Sequence, residues 1–536
     1  MDRRARIVGG VAGLVGAIVI AGAVAVILRN NDKKPSVALP AGIRAVTIPG
    51  VGGAQLSAEI ILPSGSGTHP LLVMPGSWGA AASEYVLVGQ GLAKRGYVII
   101  SYAQRGFGGS TGKVDAGGLE NQQDVSAVIN WALKNTPANP KQIAAVGSSL
   151  GGGVALLAAE RDPRIRVVVA TSTWTDLVAS DFPNRTPNQQ VQQLLLSGQA
   201  PKGSLGPAAL KMQSALAAGD AAGYGALVQT LSTSSSPMNG VAALNKNRTA
   251  VMIANGWQDS IFPPAQLVPF FNALTGPKRL QLAAGDHGAT EISGLLGQYN
   301  QVWTDAGAWL DHFLLGVNNG MGTTQDSVQL TDVATGAIHS YPSWSKLAKT
   351  TTSYLTASDV GSRTAGTIGP SAGAWSESIA AGVNTDAEAG PLQLSVPYKK
   401  VSGIDVGSLA SPNSVIWNDA VVSKATLVNG SPTLQVTVTP SATTTSLFAY
   451  LYDVDASGAG TLMSYEPYTL LNVPAGQPTQ VSMTLQPTSW TVAKGHHLSL
   501  AIDTVDARFM PLSRTGSTLI FSSSPASPAT FTVPIN

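Results

Sequence analysis

From about residue 44 to residue 319 the chain repeats one pattern, a short and wholly apolar run followed by a longer amphipathic stretch. The apolar runs at 71–74, 97–102, 143–146, 165–170, 250–254 and 280–283 read as strands with no polar face. Such strands must be covered on both sides. The stretches between them, at 84–94, 121–134, 150–160 and 264–274, have the period of helices that could supply the cover. The alternation predicts an α/β fold built on a largely parallel sheet. Residues 177–247 break the rhythm, being Ala/Gln/Leu-rich and helical in pattern without a strand. They are expected to form a cap over the sheet's active edge.

Beyond about residue 320 Thr, Ser and Val dominate. Strand-like runs at 392–396, 433–438, 447–452, 480–485, 497–502 and 530–535 are separated by Gly, Pro, Asn and Ser. That texture predicts a jelly-roll-like β-sandwich. A chain of 536 residues is long enough for two such cores. The expected division is a domain at 44–319, with its cap at 177–247, and a β-sandwich domain at 320–536.

At the start of the chain Arg3, Arg4 and Arg6 precede an uncharged run of 22 residues, 7–28, and Arg29, Lys33 and Lys34 follow it. A helix needs about 20 apolar residues to cross a bilayer, and a cleaved signal peptide carries only about 7–15. Residues 1–34 therefore read as a signal anchor with the remaining chain outside the cytoplasm. Ala23-Val24-Ala25 offers the alternative of cleavage and secretion. The net charge is +2. The first 34 residues hold six Lys/Arg against two Asp, leaving 26 Lys/Arg against 28 Asp/Glu downstream. The body is thus slightly acidic, without a basic run interleaved with aromatics, and nucleic acid is not an expected partner. The absence of cysteine excludes a thiol nucleophile, a thiolate metal site and disulfides.

The residues that point to chemistry begin with Gly147-Ser148-Ser149-Leu150-Gly151, set between a strand and a helix. G-x-S-x-G in that position forms a sharp turn that lifts the serine hydroxyl above the sheet. Serine needs a base to take its proton, and the base needs a carboxylate to hold its tautomer. In this arrangement the order along the chain is serine, acid, histidine. Asp259 follows the run 250–254, and His287 follows the run 280–283. Both lie at carboxyl ends of strands, where open α/β sheets carry their sites. Of the six histidines only His287 has that placement. Asp286 is the competing acid, but adjacent side chains on extended backbone point apart. Oxyanion donors are expected from the Leu150 N–H and from the loop Pro75-Gly76-Ser77-Trp78-Gly79, with Ser77 first and Trp78 second. No metal or organic cofactor is required. The glycines of 105–112 do not open a helix, which argues against a dinucleotide site. The loop starting at Asp453 has Ser464 where a calcium loop needs glutamate.

Together these residues resemble the cocaine esterase and X-prolyl dipeptidyl peptidase family of α/β-hydrolases. The resemblance is carried by Arg105-Gly106, Gly109-Ser110-Thr111-Gly112, Asp124, Asn130-Trp131, Gly147 to Gly152, Asp162-Pro163-Arg164-Ile165 and Asn255-Gly256-Trp257-Gln258-Asp259. In the β-rich half Leu451-Tyr452-Asp453-Val454 and Lys494-Gly495-His496 add to it. It implies an α/β-hydrolase with a helical cap and a C-terminal jelly roll, acting on esters or amides through an acyl-enzyme. Members often carry tyrosine in the early oxyanion loop, where this chain has Gly76, Ser77 and Trp78. Members that take amines grip them with acidic residues, and Asp181 and Asp220 are the only acids in 177–247. An exported esterase or acylase is therefore expected over an X-prolyl dipeptidyl aminopeptidase. The alternative of another class is a non-catalytic envelope scaffold on the same fold.

Overall fold

A computed structural model describes residues 42–536. The apolar run 7–28, and with it the expected anchor, lies outside the described residues. Among the described residues no helix is long and apolar enough to cross a membrane.

The first domain is organised by a ten-stranded sheet. Its strands are β1 (Ile43–Pro49), β2 (Gln55–Ile61), β3 (His69–Pro75), β4 (Val98–Tyr102), β5 (Ala138–Ser148), β6 (Ile165–Thr171), β7 (Ala250–Gly256), β8 (Lys278–Ala283), β9 (Val328–Thr331) and β10 (Ile338–Tyr341). The spatial order is β1-β2-β4-β3-β5-β6-β7-β8-β9-β10. The pairs from β4 through β3 and β5 to β9 are parallel, and antiparallel pairs close both edges. Alternate residues of each central strand enter different cores. Leu71 and Val73 pack with the helices Leu119–Asn135 and Leu150–Arg161, while Leu72 and Met74 pack with Trp303, Trp309 and Leu310 of the opposite layer. That is the period of two expected of a strand buried on both faces.

The order fixes where a site can form. From β3 the chain steps outward to β4, and from β5 it steps the other way to β6. The loops leaving β3 and β5 therefore diverge and leave a crevice at their carboxyl ends. The change of composition near residue 320 does not mark the end of the sheet. β9 and β10 lie past it, and Leu280 of β8 pairs with Val328.

Between β6 and β7 the chain is helical, without a strand, in segments from Leu177 to Asn247. The start of this interval docks on the second domain. Asn184 Nδ2 donates to Glu466 Oε1 at 2.7 Å, the Thr186 and Thr469 hydroxyls are 2.7 Å apart, and the Met510 N–H donates to Pro187 O at 3.0 Å. On the β1–β4 side of the sheet Arg105 and Asp124 form a buried two-pronged pair, with both Nε and Nη2 donating to the carboxylate at 2.9 Å. Asp124 also accepts the Val51 N–H at 2.9 Å, so burial of this charge is matched by three donors.

The second domain is a β-sandwich. One sheet includes Trp375–Ala380, Thr518–Ser523, Thr433–Pro440, Thr530–Ile535 and Lys349–Leu355. The other includes Val415–Asn418, His497–Asp503, Thr445–Val454, Ala459–Leu470 and Ser402–Asp405. Gly366–Gly369 joins them, pairing antiparallel with the first and parallel with the second. Thr445–Val454 is buried along its whole length. Leu447, Ala449 and Leu451 face the sandwich interior, while Phe448, Tyr450 and Tyr452 enter a separate core with Phe509. Residues 392–396, expected as a strand, are not one. Ser395 has φ +55°, and the N–H groups of Gln393 and Ser395 are bonded to the first domain instead of to a neighbouring strand.

Candidate active site

Ser149 stands at the turn from β5 into the helix Leu150–Arg161, with φ +55° and ψ −124°. Such a backbone is costly for a residue with a side chain, and it survives only where its surroundings enforce it. The glycines on either side are the means. A Cβ on Gly147 would lie 2.4 Å from the Gly151 carbonyl carbon, and one on Gly151 would lie 2.0 Å from Pro75 O. The helix can approach β3 and β5 only because both positions lack a side chain.

The three residues expected from chain order meet here. His287 Nε2 is 2.8 Å from Ser149 Oγ, and His287 Nδ1 is 3.0 Å and 3.1 Å from the two Asp259 oxygens. Asp259 also accepts the N–H groups of Ile261 and Phe262, at 3.0 and 2.7 Å. Phe262 packs edge-on against the imidazole with ring centroids 5.4 Å apart. Burial acts to lower the pKa of His287, but the charge and hydrogen bond of Asp259 outweigh it, with help from Glu291 and Asp286, and the net direction is upward. Asp286 does not take the acid's place. Its Oδ1 accepts the N–H groups of Ser260 and His287, at 2.8 and 2.7 Å, and its Oδ2 accepts the Gln393 N–H at 2.5 Å.

The oxyanion loop requires a correction. The Ser77 N–H is engaged, donating to Glu84 Oε2 at 2.8 Å, and the Ser77 hydroxyl donates to Glu84 Oε1 at 2.6 Å. The next amide, that of Trp78, has no hydrogen-bond partner among the described residues. Trp78 lines the same cavity as Ser149 and Leu150. Leu150 is the first residue of its helix, where an N–H has no carbonyl within the helix to bond.

Sequence reasoning missed three residues behind the nucleophile, the half-buried Glu84 and the buried Tyr85 and Glu291. Glu84 carries the oxyanion loop, and burial pushes its pKa up to about 7 against the lowering effect of the Ser77 bonds. Tyr85 accepts the Ser148 N–H at 2.9 Å and donates to Pro75 O at 3.3 Å, tying β5 to β3. Glu291 accepts the Ser148 hydroxyl at 2.7 Å and the Ser172 hydroxyl at 3.0 Å, and Ser172 in turn accepts the Gly288 N–H beside His287. No motif marks these residues; only the meeting of distant loops shows them. Glu84→Leu leaves the Ser77 N–H without its acceptor and the Ser77 hydroxyl with Ser148 O alone. The expected result is a fall in kcat of about tenfold to a hundredfold for a p-nitrophenyl ester as the loop loses its place. The far-UV circular dichroism should match that of the wild type.

The cavity over Ser149 is lined mainly by apolar side chains, among them Trp174, Leu196, Met212 and Phe262. Its polar lining includes Asp181, a buried carboxyl whose pKa burial alone raises to about 7.

Residues 52–289 match the X-Pro dipeptidyl-peptidase (S15) family, and residues 319–519 match the X-Pro dipeptidyl-peptidase C-terminal non-catalytic domain. Among curated proteins the chain is similar to an uncharacterized 31.7 kDa protein of Escherichia coli, 31% identical over 121 residues. That match spans 22% of this chain and 41% of the relative, so the chain covers well under half the length of that protein. Among solved structures a CocE/NonD family hydrolase from Staphylococcus aureus aligns with a TM-score of 0.69 at 12% identity, over 94% of this chain and 99% of that one. An alpha-amino acid ester hydrolase aligns with a TM-score of 0.66 at 16% identity, over 94% of this chain and 98% of that one. At those identities the likeness establishes the fold, an α/β-hydrolase followed by a β-rich domain. The chain thus joins a region that matches the X-Pro dipeptidyl-peptidase (S15) family to one that matches the C-terminal non-catalytic domain of X-Pro dipeptidyl-peptidases.

Proposed function

We propose that the protein is an exported acyl esterase or acylase working through an acyl-enzyme on Ser149. The observation that supports this most is the hydrogen-bonded series Ser149 Oγ, His287 Nε2, His287 Nδ1 and Asp259 at the mouth of an apolar cavity. His287 Nε2 takes the proton of Ser149 Oγ as that oxygen bonds to the substrate carbonyl carbon. The carbonyl electron pair moves onto its oxygen, where the N–H groups of Leu150 and Trp78 receive it. When the tetrahedral adduct collapses, the alcohol or amine leaves with the proton held on His287. Water then enters, gives a proton to His287, and releases the acid by the same path in reverse.

An apolar lining suits a neutral acyl group. The full-length protein is expected to cleave p-nitrophenyl esters of short to medium chain with a higher kcat/KM than X-Pro p-nitroanilides. The opposite order would overturn the preference. One observation favours the second reading, an X-prolyl dipeptidyl aminopeptidase. Asp181 lines the cavity, its carboxyl has no hydrogen-bonded partner among the described residues, and a substrate amine could supply one.

Residues 1–34 are proposed to tether the enzyme to the cell membrane with its catalytic body outside the cytoplasm, on the strength of the run 7–28 and its basic flanks. Fractionation of cells expressing the full chain tests this. Recovery in the soluble cytoplasmic fraction would sink it.

A further inference from the structure

A loop of the C-terminal domain reaches the back of the site. Its Ser395 N–H donates to His287 O at 2.8 Å, and its Gln393 N–H donates to Asp286 Oδ2. Ser395 holds the uncommon φ of +55° while making that contact, a backbone cost a free surface loop would not need to bear. The Gln393 side chain braces the loop from within, donating to Lys399 O at 2.8 Å and accepting the Lys399 N–H at 2.7 Å. On the opposite side Asp286 accepts the N–H groups of His287 and of Ser260, the neighbour of Asp259. One buried carboxylate thus gathers the histidine, the loop of its acid partner and the second domain.

We propose that Asp286 and the loop 391–395 are positioning elements for His287, so that the C-terminal domain, although it contributes no reacting group, sets the geometry of the base. This rests on the reading of His287 as the general base. The chemistry asks for such a device. The imidazole must hold Ser149 Oγ and Asp259 at once, and it lies on a loop whose backbone carbonyl at 287 is bonded, among the described residues, by the Ser395 N–H of the second domain. Fixing the main chain at 286 and 287 from outside restricts the ring to the orientation that serves both partners.

Charged and titratable groups face this device from every side. Asp259, Asp286 and Glu291 face His287 from the first domain. Arg508, Tyr398 and Tyr465 face Asp286 from the second. Burial raises the pKa of Asp286, while Arg508 and the N–H donors act against that. Because the Asp286 charge is one of those that raise the pKa of His287, neutralising it moves the acid limb of the rate profile to lower pH.

The test uses the full-length protein, with kcat expressed per site labelled by a fluorophosphonate. Asp286→Ala is expected to lower kcat about 100-fold with KM within about threefold of wild type. Asp286→Asn, which keeps one acceptor oxygen, should recover part of the loss while still showing the shifted acid limb. Gln393→Ala sits on a half-exposed residue and leaves the core intact. It should lower kcat several-fold by loosening the loop without moving the acid limb. A merely structural role would lower the melting temperature and the labelled fraction, with kcat per labelled site and the acid limb at their wild-type values. That result in Asp286→Asn and Gln393→Ala overturns the proposal, even should Asp286→Ala fail to fold. A wild-type protein that neither hydrolyses esters nor takes the label would instead overturn the reading of the site, and this proposal with it.

Discussion

Ser149→Ala is expected to abolish hydrolysis of p-nitrophenyl esters and labelling by a fluorophosphonate, with a loss in kcat of about 10⁶-fold. The change removes one oxygen and leaves the methylene that packs at the elbow, so the fold should survive. Two features make the prediction sharp. The Oγ is the atom His287 Nε2 faces at 2.8 Å, and the backbone that presents it is held at φ +55° by glycine contacts that do not depend on the hydroxyl. Retained labelling in a folded Ser149→Ala protein would refute the assignment of the nucleophile. An inert wild-type Ser149 in folded protein would favour a scaffold role on this fold.

Asp259→Asn is expected to lower kcat by about 10⁴-fold with little change in KM. The carboxylate faces His287 Nδ1 at 3.0 and 3.1 Å, which requires the proton on Nδ1 and leaves Nε2 free to accept from Ser149. An amide in its place can turn its NH₂ toward Nδ1 and stabilise the other tautomer, which cannot act as base. The pH profile carries a second signature. In the wild type the Asp259 charge raises the pKa of His287 against the lowering effect of burial. The neutral base is therefore lost as pH falls through a value above the ordinary range of about 6.5. In Asp259→Asn the remaining activity should persist to lower pH, because the opposing charge is gone. An unchanged acid limb together with near-normal kcat would transfer the acid's role elsewhere, with Asp286 the nearest candidate.

The site was legible in the sequence where it depends on short stretches of chain. G-x-S-x-G between a strand and a helix is a local instruction, since the glycines are required by the turn they form. Asp259 and His287 could be placed because each follows an apolar strand, and strand ends are where such sheets keep their sites. Ser77 shows where this reasoning stops. Its loop was identified, but which N–H stays free depends on Glu84, a residue seven positions on that no pattern connects to the oxyanion. The expected strand at 392–396 failed for a related reason. Its alternation is real, but its N–H groups bond to Asp286 and His287, 107 residues away in the case of Gln393 and Asp286.

By itself the sequence determined the alternation of central strands and helices in the first domain, the elbow, the three residues at the centre of the site and the change to β-rich chain. Each of these follows from hydrophobic period, glycine sterics or position relative to a strand, and all act over a few residues. Only the tertiary structure decided that the sheet continues through β9 and β10, that Glu84 takes the Ser77 N–H, and that the second domain grips the histidine loop. Those outcomes turn on which buried donor finds which acceptor when distant segments meet, and a hydrogen bond between them leaves no trace in the local pattern of either.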